Sequence, residues 1–376
     1  MLRPPAVLAS LALLLAACAS RPPTAALLVE QSGANADFGM AASAGAQLAM
    51  QRADLDAAIR PIPASRLQLL EKDAASTPAA AKAAAQQLEP ISLLGVGLND
   101  SDEALAAVPV FTKAGKPFMI VGATDSSLPN RCGPGTFMAC FSDDMQAQAA
   151  ARFASRTFGR RCVVVMDSKY DYTSGLARSF VQAFERLGGT VDARIDMRSP
   201  RAMETLASLK GSTAPDFVFL SAEPDGLRMM LGPIREALPV TPIVGGDGLD
   251  CSLYQEVSQL QSEAIFFTTH AWFGKGATPE AAAFAAAYLN TFGTPPPNGF
   301  AALGYDAMSL VNTAVNKASV LGPPSPADIA KAIGEIRNYR GASGVISYAD
   351  GPVPRKDVWV VGIRRGERFL AERVSP

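Results

Sequence analysis

Fully apolar runs alternate with alanine-rich amphipathic stretches along most of this chain. The runs "ALLVE", "RLQLLEKD", "ISLLGV", "PFMIVG", "RCVVVMD", "TVDARIDM", "DFVFLS", "PIVGG" and "AIFFTT" have the length and side-chain character of strands. Between them the spacing predicts helices over residues 41–58, 77–88, 102–114, 143–158, 173–187, 201–210 and 224–237. Three more follow over 279–292, 300–319 and 326–335. Strands that are apolar on both faces, separated by helices of roughly 10–16 residues, predict parallel sheets with helices on both sides. At the C-terminal end "GVISYAD" and "VWVVGIRRGERFL" read as a hairpin-like pair around "GPVP". One sheet of so many strands is disfavoured, so the pattern predicts an α/β protein of two lobes.

In open parallel sheets ligands sit at the carboxyl ends of the strands. The segments that follow the apolar runs are "GLNDSDE", "ATDSS", "SKYDYTSG", "AEPDG", "DGLD" and "HAWF". They carry hydroxyls, amides, carboxylates and aromatics, a set that suits a small polar molecule with an apolar part. In "TPIVGGDGLD", Asp247 stands among three glycines directly after an apolar run. A carboxylate in that setting either caps the next helix or reaches a ligand.

The length of 376 residues allows two domain-sized cores. Basic residues number 34 and acidic ones 35, which offers no field for nucleic acid or an anionic membrane. The N-terminal "MLRPPAVLASLALLLAACAS" has one charge, Arg3, ahead of an apolar core from Ala6 to Ala17. That core is too short to span a hydrocarbon layer of ~30 Å, but it suits an export signal. It ends in "LAAC", which resembles the bacterial lipobox and implies cleavage before Cys18 with lipidation of its thiol. The alternative is an ordinary signal peptide with an incidental cysteine. Residues 1–17 are thus expected to be a lipoprotein signal peptide and 18–25 a tether. The protein would be periplasmic or cell-surface, held to the membrane through Cys18 alone.

Cys132 and Cys140 bracket a Gly/Pro loop, "CGPGTFMAC", and export permits oxidation, so a local disulfide is expected. Cys162 and Cys251 are read as unpaired or buried. With one histidine and no C-x-x-C pair, zinc is disfavoured, and neither a metal nor a cofactor is expected. There is no G-x-S-x-G elbow, no P-loop and no H-E-x-x-H, which argues against the common enzyme classes.

At the strand-end segments the chain resembles the type I periplasmic binding proteins of branched-chain amino acid ABC transporters. "ISLLGVGLNDSDEALAAVPVFTKAGKPFMIVGATDSSL" is similar to the family's serine-glycine loop, helix, strand and Ala-Thr loop. "DSKYDYTSGLARSFVQAFERLGGTV", "VGGDGLD", "ALGYDAMSLVNTAVNKA" and "YRGASGVISYADG" resemble its later blocks, in order. The resemblance implies two Rossmann-like lobes joined by three crossovers. Lobe one would be about 26–144 plus 273–341, and lobe two about 145–272 plus 342–376. It also implies that an amino acid is held by its head group in the cleft. Ser101, Thr124 and the backbone of Gly122 and Ala123 would meet the carboxylate, and Asp247 the ammonium. Tyr172 and Phe38 match family aromatics near the ligand. Glu223 stands where relatives place an aromatic, and His270 is either structural or a ligand contact. "GLNDSDE" adds acidic residues to a loop usually rich in serine and glycine, which disfavours a ligand carboxylate unless they point away. The implied partners are a small-molecule ligand and an ABC permease. The other functional class left open is a lipoprotein sensor or envelope-assembly regulator on the same fold.

Overall fold

The computed structural model describes residues 22–58, 67–210, 214–256, 261, 263–320 and 322–376. Cys18, the expected signal peptide and half of the tether (18–21) lie outside the described residues. The chain begins with β1 (Thr24–Val29), α1 (Ala36–Ala58), β2 (Gln68–Asp73), α2 (Pro78–Leu88), β3 (Leu94–Gly97) and α3 (Ser101–Lys113). It continues with β4 (Phe118–Ile120), the short α4 (Leu128–Cys132) and β5 (Thr136–Met138). A second unit follows: α5 (Asp143–Thr157), β6 (Arg161–Met166), α6 (Asp171–Arg186), β7 (Thr190–Asp196), α7 (Ala202–Ser208), β8 (Phe217–Ser221), α8 (Pro224–Ala237), β9 (Ile243–Gly245) and β10 (Ile265–Thr269). The chain then returns through α9 (Pro279–Phe292), α10 (Phe300–Ala318), α11 (Pro326–Gly334), β11 (Tyr339–Gly341) and β12 (Gly344–Ile346). It ends in β13 (Val358–Arg364) and β14 (Glu367–Val374).

Two larger sheets result, ordered β2-β1-β3-β4-β5 and β14-β13-β10-β9-β8-β6-β7. The first is parallel throughout. The second is parallel from β7 to β10 and antiparallel at β13 and β14. Parallel strands need both faces covered, and β1, β3, β4 and β8 are buried along almost their whole length. Helix α10 belongs with the first sheet because it crosses α1 at backbone contact. A side chain at Gly45 would collide with the Ala301 carbonyl, and one at Gly304 with that of Ala42.

The chain passes between the sheets after β5, after β10 and after β12. The third passage is tied to the first by Lys356, whose buried Nζ donates to Ala139 O at 2.8 Å and to Ser343 Oγ at 2.5 Å. Asp306 on α10 accepts from the backbone of Ala342 and Ser343 beside it. A further tie is Asp250, which accepts from Gly299 N at 2.9 Å and pairs with Arg368 at 2.7 Å.

Two sequence-based expectations are corrected here. The terminal hairpin does not form around "GPVP". β12 pairs with β11, while β13 pairs with β14. The turn falls at Arg365 and Gly366, both at positive φ, as a tight hairpin requires. Cys132 and Cys140 do not form a disulfide; both are free and buried. The loop between them is not slack. β5 occupies its middle, and the thiols end in different surroundings, Cys132 against Ala104 O and Cys140 against Ala123 O at 3.2 Å.

Candidate functional site

The carboxyl ends of both parallel sheets face one cleft, and side chains from the segments after the strands meet there. Asp247, in the turn after β9, is 2% exposed. Three donors converge on it: Tyr172 Oη at 2.7 Å, Gln146 Nε2 at 2.8 Å and His270 Nε2 at 2.8 Å. Gln146 is held by accepting from Asp247 N at 3.0 Å and Thr268 Oγ1 at 2.7 Å. The glycines around Asp247 are required by packing. A Cβ on Gly246 would lie 2.8 Å from Tyr172 Oη and 3.1 Å from Gln146 Oε1, and one on Gly248 would strike the Ala222 carbonyl.

His270 is fully buried, and burial lowers its pKa below the ordinary 6.5. Its contact with Asp247 is therefore a hydrogen bond from neutral imidazole, with the proton on Nε2, rather than an ion pair. The ring stacks on Phe141 at 3.9 Å and stands edge-on to Phe300 at 5.3 Å. Phe300 in turn stacks on Phe38 at 4.3 Å. An aromatic row thus runs from α1 through the start of α10 to the first passage between sheets.

On the first sheet's side, Thr124 Oγ1 lies 3.4 Å from Gln146 Nε2, and Ser101 Oγ accepts from Asp125 N at 3.3 Å. Contacts through Gln146 therefore join Thr124 to Asp247, and Ser101 is bound to the residue next to Thr124. The N–H groups of Gly122 and Ala123 are both engaged by Leu98 O, which leaves Gly122 a packing role. A Cβ there would sit 2.6 Å from Asn99 Oδ1 and 2.7 Å from the Phe300 ring. Leu98 holds a left-handed φ of 64°, a conformation that is costly for a non-glycine residue and needs surrounding structure to maintain it.

Glu223, after β8, is buried and does not replace an aromatic in kind. Its carboxyl meets Asp100 and Asn35 across the cleft, and burial raises its pKa well above the ordinary value, with Asp100 adding to the rise. The acidic residues of "GLNDSDE" do not all point away. Asp100 caps α3 by accepting from Glu103 N at 2.9 Å, and Asp102 accepts from Asp171 N across the cleft at 3.0 Å. Glu103 turns inward beside Glu30. Burial, followed by the charge of Glu30, pushes its carboxyl up to about 11.

Residues missed from sequence are Gln146, Phe141, Phe300, Glu30 and Glu103. The last two stand just beyond an apolar strand and inside the loop already singled out, so strand-end position was the available signal. Gln146 sits on a helix face and gave none. A separate cavity of about 640 Å³, lined in part by Asp37, Ser252, Trp272, Tyr288 and Arg368, includes none of the predicted site residues.

The two-lobed α/β fold agrees with what comparison shows. The periplasmic binding protein family matches residues 22–368. The chain is a type I periplasmic binding protein of the branched-chain amino acid family. It is 25% identical over 259 residues to the Leu/Ile/Val-binding protein BraC3 of Rhizobium johnstonii, covering 68% of each chain. Among solved structures it is similar to the leucine binding protein LivK of Thermotoga maritima. That match has a TM-score of 0.83 and 25% identity, and covers 94% of this chain and 99% of that one. LivJ of Streptococcus pneumoniae, solved with isoleucine, superposes with a TM-score of 0.84 at 24% identity, over 95% of this chain and all of the other. A solute binding protein from R. palustris solved with benzoate shares the fold with a TM-score of 0.79 at 19% identity, covering 95% of this chain and 97% of that one. This periplasmic binding protein is of the ABC-transporter substrate-binding type, a family of extracytoplasmic solute binders rather than of enzymes. Among its described residues no helix is long and apolar enough to cross a membrane.

Proposed function

We propose that this protein is an extracytoplasmic solute-binding lipoprotein of an ABC importer that holds an amino acid or a similar small ligand between its lobes. The observation that carries the reading is the link from Thr124 on one lobe through Gln146 to Asp247 on the other, with Ser101 bound to the residue beside Thr124. Ser101 and Thr124 would take the ligand's carboxylate, assisted by the N-terminus of α3, which favours negative charge. Asp247 would take its ammonium. Three donors already face that carboxylate, which offers about four acceptor positions, so a ligand would use the remaining one or displace His270. Phe38 and Tyr172 would flank the side chain.

Ligand contacts made from both lobes are complete only when the cleft is shut. Differential affinity for that state then drives closure. The shut form also gains protein–protein contacts: Asp171 N to Asp102, and Ser252 N and Oγ to Asp37 at 2.9 and 2.6 Å. Each charge-assisted hydrogen bond in such a cleft contributes about 1.5–3 kcal/mol. Isothermal calorimetry with a panel of proteinogenic amino acids tests the reading, with the fluorescence of Trp272 as a second signal. Binding of at least one member supports it, and silence across the panel removes the amino-acid assignment. The lipid anchor is tested separately by the intact mass of detergent-extracted protein. A diacylglyceryl adduct at Cys18 is expected, and an unmodified mature chain would exclude the anchor.

A further inference from the structure

We propose that the ligand is an organic cation, bearing a protonated amine or guanidinium that seats among Glu30, Asp100, Glu103 and Glu223. The inference rests on the cleft being the ligand site and names the chemical class it takes there.

These four carboxyl groups come from both lobes and are buried: Glu30 at 0%, Asp100 at 5%, Glu103 at 1% and Glu223 at 7% exposure. Their internal partners are few. Asn99 donates to Glu30 from its backbone at 2.8 Å and its side chain at 2.6 Å, and Asn35 Nδ2 lies 3.4 Å from Asp100 Oδ2. Both oxygens of Glu103 are buried without any hydrogen-bond partner, as are the side-chain oxygens of Asn35 and Asn99. Glu103 and Glu30 lie against each other, and with its carboxyl pushed up to about 11 Glu103 carries the proton that lets the two meet; a bound cation would take that proton's place.

Among the described residues no lysine or arginine makes an ion pair with any of the four. Buried acceptors without donors, and buried carboxylates without cations, are both costly and rare in folded proteins. The cluster is therefore complementary to something rich in N–H groups and positively charged. A metal ion is a poorer match, because no group of described residues has metal-holding geometry.

The cluster also straddles the cleft between the lobes. Closure carries Glu223 on the second lobe against Asp100 on the first. Burial and mutual repulsion make the empty pair hold a proton, and a cation placed between the two groups lets both ionise and draws them together. Closing would thus depend on a positively charged ligand, through groups distinct from Asp247.

Calorimetry with L-arginine, L-lysine, agmatine and putrescine, set beside L-leucine and L-isoleucine, tests the inference. At least one of the four cations should bind ten times more tightly than either neutral amino acid. Glu103→Gln and, as an independent variant, Glu223→Gln should each lower the ratio of cation to leucine affinity at least tenfold. Binding of leucine or isoleucine with no competition from any cation would overturn the inference while leaving the proposed function standing. Binding of calcium or magnesium ions alone, displaced by none of the organic probes, would overturn it as well. No binding of any cation would overturn the inference, while the proposed function stands or falls on the full amino-acid panel.

Discussion

Replacing Asp247 by alanine removes the acceptor for three buried donors at once. Tyr172 Oη, Gln146 Nε2 and His270 Nε2 all end on its carboxylate between 2.7 and 2.8 Å. Each buried polar group left unpaired costs about 1–3 kcal/mol, so the gross loss is roughly 3–9 kcal/mol. Removing a buried carboxylate also returns the cost of its desolvation, which is of the order of several kcal/mol. Water can re-solvate part of the vacated space. The net destabilisation is then about 2–4 kcal/mol, which for a lobe of this size corresponds to a fall in Tm of roughly 5–15 °C. Asp247→Asn keeps one acceptor oxygen and should lose about half as much. Circular dichroism melting of the ligand-free protein reads the stability, and calorimetry on the best panel ligand reads an affinity loss of at least tenfold. If Asp247→Ala melted within 2 °C of the parent, the three-donor arrangement would be wrong. If it melted low but bound normally, Asp247 would be a structural hub and no ligand contact.

The buried acids give a pH signature. Burial raises Glu30 from 4.5 to about 6 and Glu103 further. Groups whose folded pKa is raised stabilise fully below the unfolded value and lose that contribution as pH rises through the folded one. Ligand-free protein should accordingly be less stable at pH 7.5 than at pH 5, with Glu30 alone accounting for about 2 kcal/mol between pH 4.5 and 6; a Tm that rises over this interval would contradict the sign. Gly248→Ala should cost about 1–3 kcal/mol and weaken binding, because its Cβ meets the Ala222 carbonyl and lies 3.1 Å from Tyr172 Oη; an unchanged melt and affinity would show that the turn can yield. Dithiothreitol should leave Tm unchanged, and unfolding in iodoacetamide without reductant should alkylate both Cys132 and Cys140. A mass deficit of two hydrogens in that peptide would restore the disulfide.

The layered fold was legible because its signal is local. Runs such as "RCVVVMD" and "DFVFLS" are too apolar for one-sided burial, and both became interior strands of the second sheet. β5 and α4 were not legible, since a three-residue strand inside "CGPGTFMAC" has neither length nor periodicity to announce it. The same element explains why the cysteines that looked paired are apart. At the site, Asp247 and Tyr172 could be placed from the segments that follow strands. Gln146 could not, because its role depends on a helix from one segment meeting the turn after β9, a hundred residues away. The inward turn of Glu103 was also hidden, since a glutamate in the first turn of a helix ordinarily faces solvent.

The central claim is that the two lobes close on a small ligand at the carboxyl ends of both sheets. A crystal structure of the complex with the tightest-binding panel ligand tests it most directly. The account predicts ligand density between Thr124 and Asp247, with its cationic group within hydrogen-bond distance of Glu103 or Glu223. Density instead in the cavity beside Trp272 and Arg368, with the Asp247 cleft unchanged, would contradict it.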